Sequence, residues 1–155
     1  MDDDQAFHNH EAKKERWAKE AEEYARYHPS EVTQISWLYI KRQQGEYPAT
    51  TPRSGKWLIP LRPQKLDEVW PAVREATKDG RLGQASMAAT AKPSPRASKS
   101  GDKVICVFTY DWTDAEDARR VRQVLRDIGI TKKLHYKRDE DTRAGRYGMG
   151  YPYYE

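Results

Sequence analysis

The segment Lys103–Tyr147, KVICVFTYDWTDAEDARRVRQVLRDIGITKKLHYKRDEDTRAGRY, decides the fold. It opens with Val104–Tyr110, the most apolar run in the chain, which predicts a strand that is central in its sheet or covered on both faces. Thr113–Ile128 follows as a helix. Thr113 and Glu116 have the T-x-x-E spacing of a capping box, Asp114 adds negative charge at the positive end of the dipole, and Gly129 stands where a left-handed cap belongs. Ala118, Val121, Leu125 and Ile128 form the apolar stripe, leaving Arg119, Arg120, Arg122 and Arg126 mostly to solvent. Lys133–Lys137 then reads as a strand and Asp139–Gly148 as a loop dense in cations and carboxylates.

The preceding chain supplies the partners. Glu11–Tyr27 has helical spacing in Trp17, Ala21, Tyr24 and His28, stopped by Pro29, while residues 1–10 are expected to be disordered. Thr33–Lys41 is β-branched and aromatic, with Ile35, Trp37 and Tyr39 on one face and Leu38 and Ile40 on the other. Lys56–Leu61 is a second strand, and Pro60 places its end at a sheet edge or exit. Asp67 is positioned to cap a helix reaching Lys78, with Pro71 near its first turn, and Gln84–Thr90 is a weaker strand. The Pro-, Ser- and Lys-rich residues 91–102 read as a mobile loop, and Tyr-Pro-Tyr-Tyr-Glu at 151–155 as a tail that either docks or frays. The order α, β, β, α, β, β, α, β predicts an α+β domain over residues 11–155, a mainly antiparallel or mixed sheet with helices on one face.

Composition narrows the function classes. At 155 residues the chain can bury about two-thirds of its unfolded surface. A mean hydropathy of −1.06 implies much solvated chain, yet five Trp and ten Tyr argue against disorder throughout. Net charge is +4, but residues 1–30 carry −3, so the remainder carries +7. That excess is modest for a nucleic-acid binder and suits a small phosphorylated ligand. Cys106 is the sole cysteine, which excludes an internal disulfide, and its apolar strand makes it a small buried hydrophobe. With neither a leader-like segment nor a long apolar run, a cytoplasmic protein without membrane attachment is expected.

No G-x-S-x-G, H-E-x-x-H, Walker loop or cysteine pair is present, so neither a metal nor any other cofactor is expected. The remaining candidates are cationic. In strand geometry Lys133, His135 and Lys137 share one face, opposite Leu134 and Tyr136. Like charges there disfavour one another, and a lysine held toward neutrality is a competent general base. Arg138, Arg143 and Arg146 can each fork onto a phosphate, unless Asp139, Glu140 and Asp141 neutralise them internally. The same strand also reads as an exposed edge whose lysines discourage pairing. Among the tryptophans, Trp57 and Trp112 are the better candidates for stacking a base, with Asp111 as a carboxylate facing the ring.

Six motifs carry a family resemblance: Ser36–Ile40, Gly55–Ile59, Asp67–Trp70, Gly80–Gly83, Val104–Asp114, and Tyr-Lys-x-Asp-x-x-Thr-x-x-Gly-x-Tyr over 136–147. Together they resemble the basophilic-leukaemia-expressed protein family across about residues 30–147. The resemblance implies a fold like that of cap-binding translation initiation factor 4E, a curved antiparallel sheet backed by helices. It also implies a connection to phosphothreonine lyases, the label its bacterial members carry. Carried over by position, the family's recurrent polar residues are Lys56, Lys92, Lys137, Asp139, Thr142 and Tyr147, although Pro93 stands where relatives have valine and removes a backbone donor beside Lys92.

Two functions are therefore weighed. In the first, a metal-independent lyase acts on phosphothreonine or phosphoserine in a phosphorylated peptide. Lys137 or Lys92 takes the α-proton, His135 or Tyr147 serves the leaving phosphate, and Lys56, Arg143, Arg146 and Arg138 hold it. In the second, the domain binds a nucleotide, a cap-like end or RNA without catalysis, through tryptophan stacking and a basic face.

Overall fold

The computed structural model describes residues 3–94, 101–146 and 150–155. In chain order the elements are α1 (Asp3–Tyr24), a 3₁₀ turn (Pro29–Glu31), β1 (Trp37–Lys41), β2 (Gly55–Leu61), α2 (Pro63–Lys78), β3 (Ala85–Ala89), β4 (Lys103–Thr109), α3 (Ala115–Ile128), β5 (His135–Arg138), α4 (Asp139–Arg143) and β6 (Tyr153–Tyr154). The six strands form one curved sheet in the order β1-β3-β4-β2-β5-β6, every pair antiparallel. This is the α+β architecture that the element order predicted. Of the mobile loop expected over 91–102, residues 95–100 lie outside the described residues.

Alternation along each strand divides the sheet into two faces. Leu38, Ile40, Trp57, Ile59, Ile105, Val107 and Tyr136 are buried on one face against Leu66, Trp70, Val73 and Ala76 of α2 and Ala118, Val121 and Leu125 of α3. Trp57 Nε1 donates to Ala118 O at 2.9 Å and Trp70 Nε1 to Ala25 O at 2.8 Å, so both indoles satisfy their polar atom inside the core. β4 is central, as its unbroken apolar run predicted, lying between β3 and β2.

Four local expectations change. α1 already begins at Asp3, because a segment rich in Ala, Glu and Lys favours helix. α2 starts at Pro63, since proline at N1 lacks only an N–H that would be orphaned anyway. Asp67 consequently lies one turn inside, where it accepts from Ser30 N at 3.0 Å and Ser30 Oγ at 2.5 Å, and Pro71 falls mid-helix. The α3 cap is Asp114, which accepts from Asp117 N at 3.1 Å, while Thr113 Oγ1 donates to Asp111 Oδ1 at 2.7 Å. At the other end Gly129 has φ +115°, the left-handed cap the sequence indicated.

Arg122 is the fourth. Expected near solvent, it is 1% exposed. Its guanidinium donates to Glu155 O at 2.7 Å, Ile130 O at 2.9 Å and Lys132 O at 2.6 Å, which ties α3 to the segments on either side of β5. The 151–155 tail docks: Tyr153 pairs with Tyr136, and Leu134 and Glu155 exchange backbone hydrogen bonds. Among the described residues no helix is long and apolar enough to cross a membrane.

Candidate functional site

The sheet's other face is open and holds a cleft of about 790 Å³. Register explains which side chains meet there. Lys56 of β2 lies between Phe108 of β4 and Lys137 of β5, one step along Leu58 lies between Cys106 and His135, and one further Pro60 faces Val104. Met87 opposes Cys106 across β3, and Trp37 of β1 opposes Ala89. The floor is therefore apolar (Leu58, Cys106, Met87, Val104), and Lys56, Lys137 and Phe108 stand at one end with Thr142. Lys92 and Ser94 reach the cleft from the far end of β3, so the structure pairs Lys56 with Lys137 at one end and sets Lys92 at the other, all three lining one cleft although they are distant in sequence.

Burial sets the charge balance at the lysine end. Lys56 is 7% exposed and donates to Asp139 Oδ1 at 2.7 Å and Thr142 Oγ1 at 2.8 Å, while Ser54 Oγ donates to Asp139 Oδ2 at 2.6 Å. Lys56 is thus largely neutralised and fixes α4 against β2. Lys137, 5% exposed on the adjacent strand, has its pKa lowered, first by burial and then by the Lys56 ammonium, with Asp141 and Cys106 opposing. An anion entering this end would favour the charged form of Lys137. The Cys106 thiol on the floor is pushed up to about 12 by burial, so it remains protonated and is no nucleophile.

The arginines of the cationic segment do not line the cleft. Arg138 Nε donates to Asp141 Oδ2 at 2.7 Å and Arg146 Nε to Asp141 Oδ1 at 2.9 Å, so one buried carboxylate binds both. These hydrogen bonds, that of Arg138 foremost, hold the Asp141 carboxyl below its ordinary range against the effect of burial. Arg138 also lies 5.5 Å from the Trp112 ring, and Arg143 is exposed on α4. The internal neutralisation weighed in the sequence is what the geometry shows for Arg138 and Arg146.

Both stacking candidates are corrected. Trp57 is fully buried on the helix side of β2, in T-shaped contact with Tyr136 at 5.3 Å. Its position beside Lys56 already carried that signal, since neighbours on a strand face opposite ways. Trp112 is half-buried in the β4–α3 turn and lies outside the cleft lining. Asp111 is buried and engaged internally, accepting from Thr51, Arg53 and Thr113. Burial would raise its pKa, but hydrogen bonds from Thr113, Arg53 and Thr51 outweigh that and hold the carboxyl well below the usual range.

Other residues take places the sequence left open. The indole that lines the cleft is Trp37, on the face its alternation with Leu38 and Ile40 had assigned. Phe108 was hidden because an all-apolar run carries no phase. His135 shares the open face with Lys137 and is exposed, its ring 4.4 Å from that of Tyr154 and 4.5 Å from that of Tyr151. Tyr147 lies outside the described residues. Among the described residues no three His, Cys, Asp or Glu side chains converge as metal ligands would.

The fold has solved counterparts. It is similar to C. elegans eIF4E-3 in complex with the 4E-binding protein Mextli and a cap analog, at 17% identity and TM-score 0.55, over 81% of this chain and 75% of that one. It is also similar to schistosome eIF4E complexed with m7GpppA and 4E-BP, at 15% identity and TM-score 0.56, over 79% and 70% of the two chains. At these identities the likeness establishes the fold. The sequence profile of basophilic leukemia-expressed protein Bles03 matches residues 48–143, a span that includes Lys56, Lys92, Lys137 and Thr142. The chain belongs to the Bles03 family.

Proposed function

We propose that the open-face cleft binds a phosphorylated ligand of nucleotide type. The carrying observation is the pairing of Lys56 with Lys137 at one end of an apolar-floored cleft of about 790 Å³. That volume lies in the range of about 300–1,000 Å³ typical of small-ligand sites, and the few polar groups converge at one end, as recognition of an anionic head with a less polar body requires. Both solved counterparts are described with cap nucleotides, which supports the reading by analogy of fold. Trp37 on the wall provides the readout. Guanine and adenine nucleotides and a cap analogue should quench its emission with micromolar midpoints, and Lys137→Met should weaken the effect at least tenfold. Unchanged emission with all three at millimolar concentration, confirmed by calorimetry, removes the reading.

A second reading rests on the lowered pKa of Lys137. A neutral Lys137 Nζ would take the α-proton of a phosphothreonine. The electrons of that C–H bond would form the Cα=Cβ bond as the Cβ–O bond breaks, releasing inorganic phosphate and leaving a dehydro residue. Lys56 or Lys92 would stabilise the departing dianion, with His135 or Tyr147 as proton donors. Incubating the protein with a phosphothreonine peptide and weighing the product tests this. A peptide that keeps its phosphate through prolonged incubation rules that substrate out.

A further inference from the structure

The β5–β6 rim beside the cleft carries an aromatic ladder that the cleft does not account for. His135 and Tyr154 are register partners, and their rings stack at 4.4 Å with planes 14° apart. Tyr151, which lines the cleft, lies 4.5 Å from His135 on the way in, and Lys133 Nζ lies 5.2 Å from the Tyr154 ring. The ladder is held in place from beneath. Tyr153 faces inward, donates to Trp112 O at 2.6 Å and packs T-shaped on Tyr136, so alternation turns Tyr154 outward. At 54% exposed, Tyr154 is the most exposed large hydrophobic side chain among the described residues. Covering an edge strand needs no such ring, and a charged residue would protect it better.

We propose that this rim is a base-stacking extension of the cleft. With one phosphate of a ligand at Lys137, the adjoining base rests on the Tyr154–His135 ladder and Lys133 meets the next phosphate. His135 and Lys137 are two residues apart on one face, about 7 Å along the strand, with Tyr154 one strand spacing of about 4.8 Å further out. A nucleotide spans that separation. The ligand class is therefore a short single-stranded oligonucleotide, bound more tightly than any lone nucleotide. Aromatic stacking beside cations is how single strands are held without a base code. The inference rests on the nucleotide reading of the cleft.

The test compares a short fluorescein-labelled oligouridylate, followed by anisotropy, with unlabelled uridine nucleotides, followed by Trp37 quenching. The oligonucleotide should bind the wild-type protein about tenfold more tightly than the mononucleotide. Tyr154→Ala should remove that gain and leave mononucleotide affinity unchanged, whereas Tyr154→Phe should keep it. Equal oligonucleotide affinity for wild type and Tyr154→Ala overturns the proposal. So does a mononucleotide that binds as tightly as the oligonucleotide, in which case the cleft reading stands alone. Failure of the oligonucleotide to bind while guanine or adenine nucleotides quench Trp37 overturns this inference alone, and failure of every nucleotide to bind removes the cleft reading with it.

Discussion

Replacing Lys56 with methionine keeps the aliphatic stem and removes the ammonium that joins β2 to α4. The loss comprises one charge-assisted hydrogen bond to Asp139 at 2.7 Å and one to Thr142 at 2.8 Å. Breaking a fully buried ion pair from one side costs roughly 3–5 kcal/mol. Here the Asp139 side chain is 17% exposed and keeps its bond from Ser54, so water and the hydroxyl recover part of that. We expect a destabilisation of about 2–3 kcal/mol, a melting temperature lower by about 4–12 °C for a chain of this length. Urea denaturation followed by tryptophan emission measures the first and calorimetry the second. Asp139→Asn in the same background should recover at least about 1 kcal/mol, because it removes the carboxylate that Lys56→Met strands. A Lys56→Met protein within about 0.5 kcal/mol of wild type, or strict additivity in the double-mutant cycle, would falsify the claim that this pair fixes α4 to the sheet.

Three further outcomes follow from other features. Gly83→Ala should destabilise by about 3 kcal/mol or more in urea denaturation, because the new Cβ would stand 1.8 Å from Phe108 O, a backbone atom that cannot give way. Arg122→Met removes the side-chain donor to Ile130 O, Lys132 O and Glu155 O, only the last of which keeps a backbone donor, Leu134 N, and should cost about 3 kcal/mol, with limited proteolysis cutting first near residues 150–155. At pH near and above the lowered Lys137 value, nucleotide binding should take up a proton, because a phosphate raises that pKa again. Affinity should therefore fall as pH rises through the lowered Lys137 value, and calorimetry in buffers of different ionisation enthalpy reads the uptake directly. Lys137→Arg should flatten that dependence, since a guanidinium stays charged throughout.

What was legible in the sequence is what depends on local pattern. The α3 stripe, its Gly129 cap and the central position of β4 followed from periodicity and capping chemistry within one segment. The cap shifted from Thr113 to Asp114 because Asp111, two residues earlier, takes the Thr113 hydroxyl. The lysine cluster was legible only as a resemblance, since its assembly depends on register: Lys56 and Lys137 meet because Gly55–Leu58 pairs with His135–Arg138. No local feature of either strand specifies that pairing. Trp57 was misplaced although alternation with Lys56 excluded it from the same face. Asp141 decided the fate of Arg138 and Arg146 through a turn that no propensity argument could build.

Strand order also sets a schedule for synthesis. β2 lies between β4 and β5, and both neighbours follow it in the chain, with β4 beginning only at Lys103. A chain growing from its N-terminus thus presents Gly55–Leu61 with neither edge paired while α2 and β3 are made. The one strand pair it can form in that interval is β1 with β3. Closure then waits for Val104–Thr109, an apolar stretch itself prone to intermolecular pairing if it lingers. Nascent protein should therefore be most exposed to aggregation and most dependent on chaperones in the interval before β4 slots between β3 and β2. Slowing translation once Val104–Thr109 has emerged from the ribosome should raise the soluble yield.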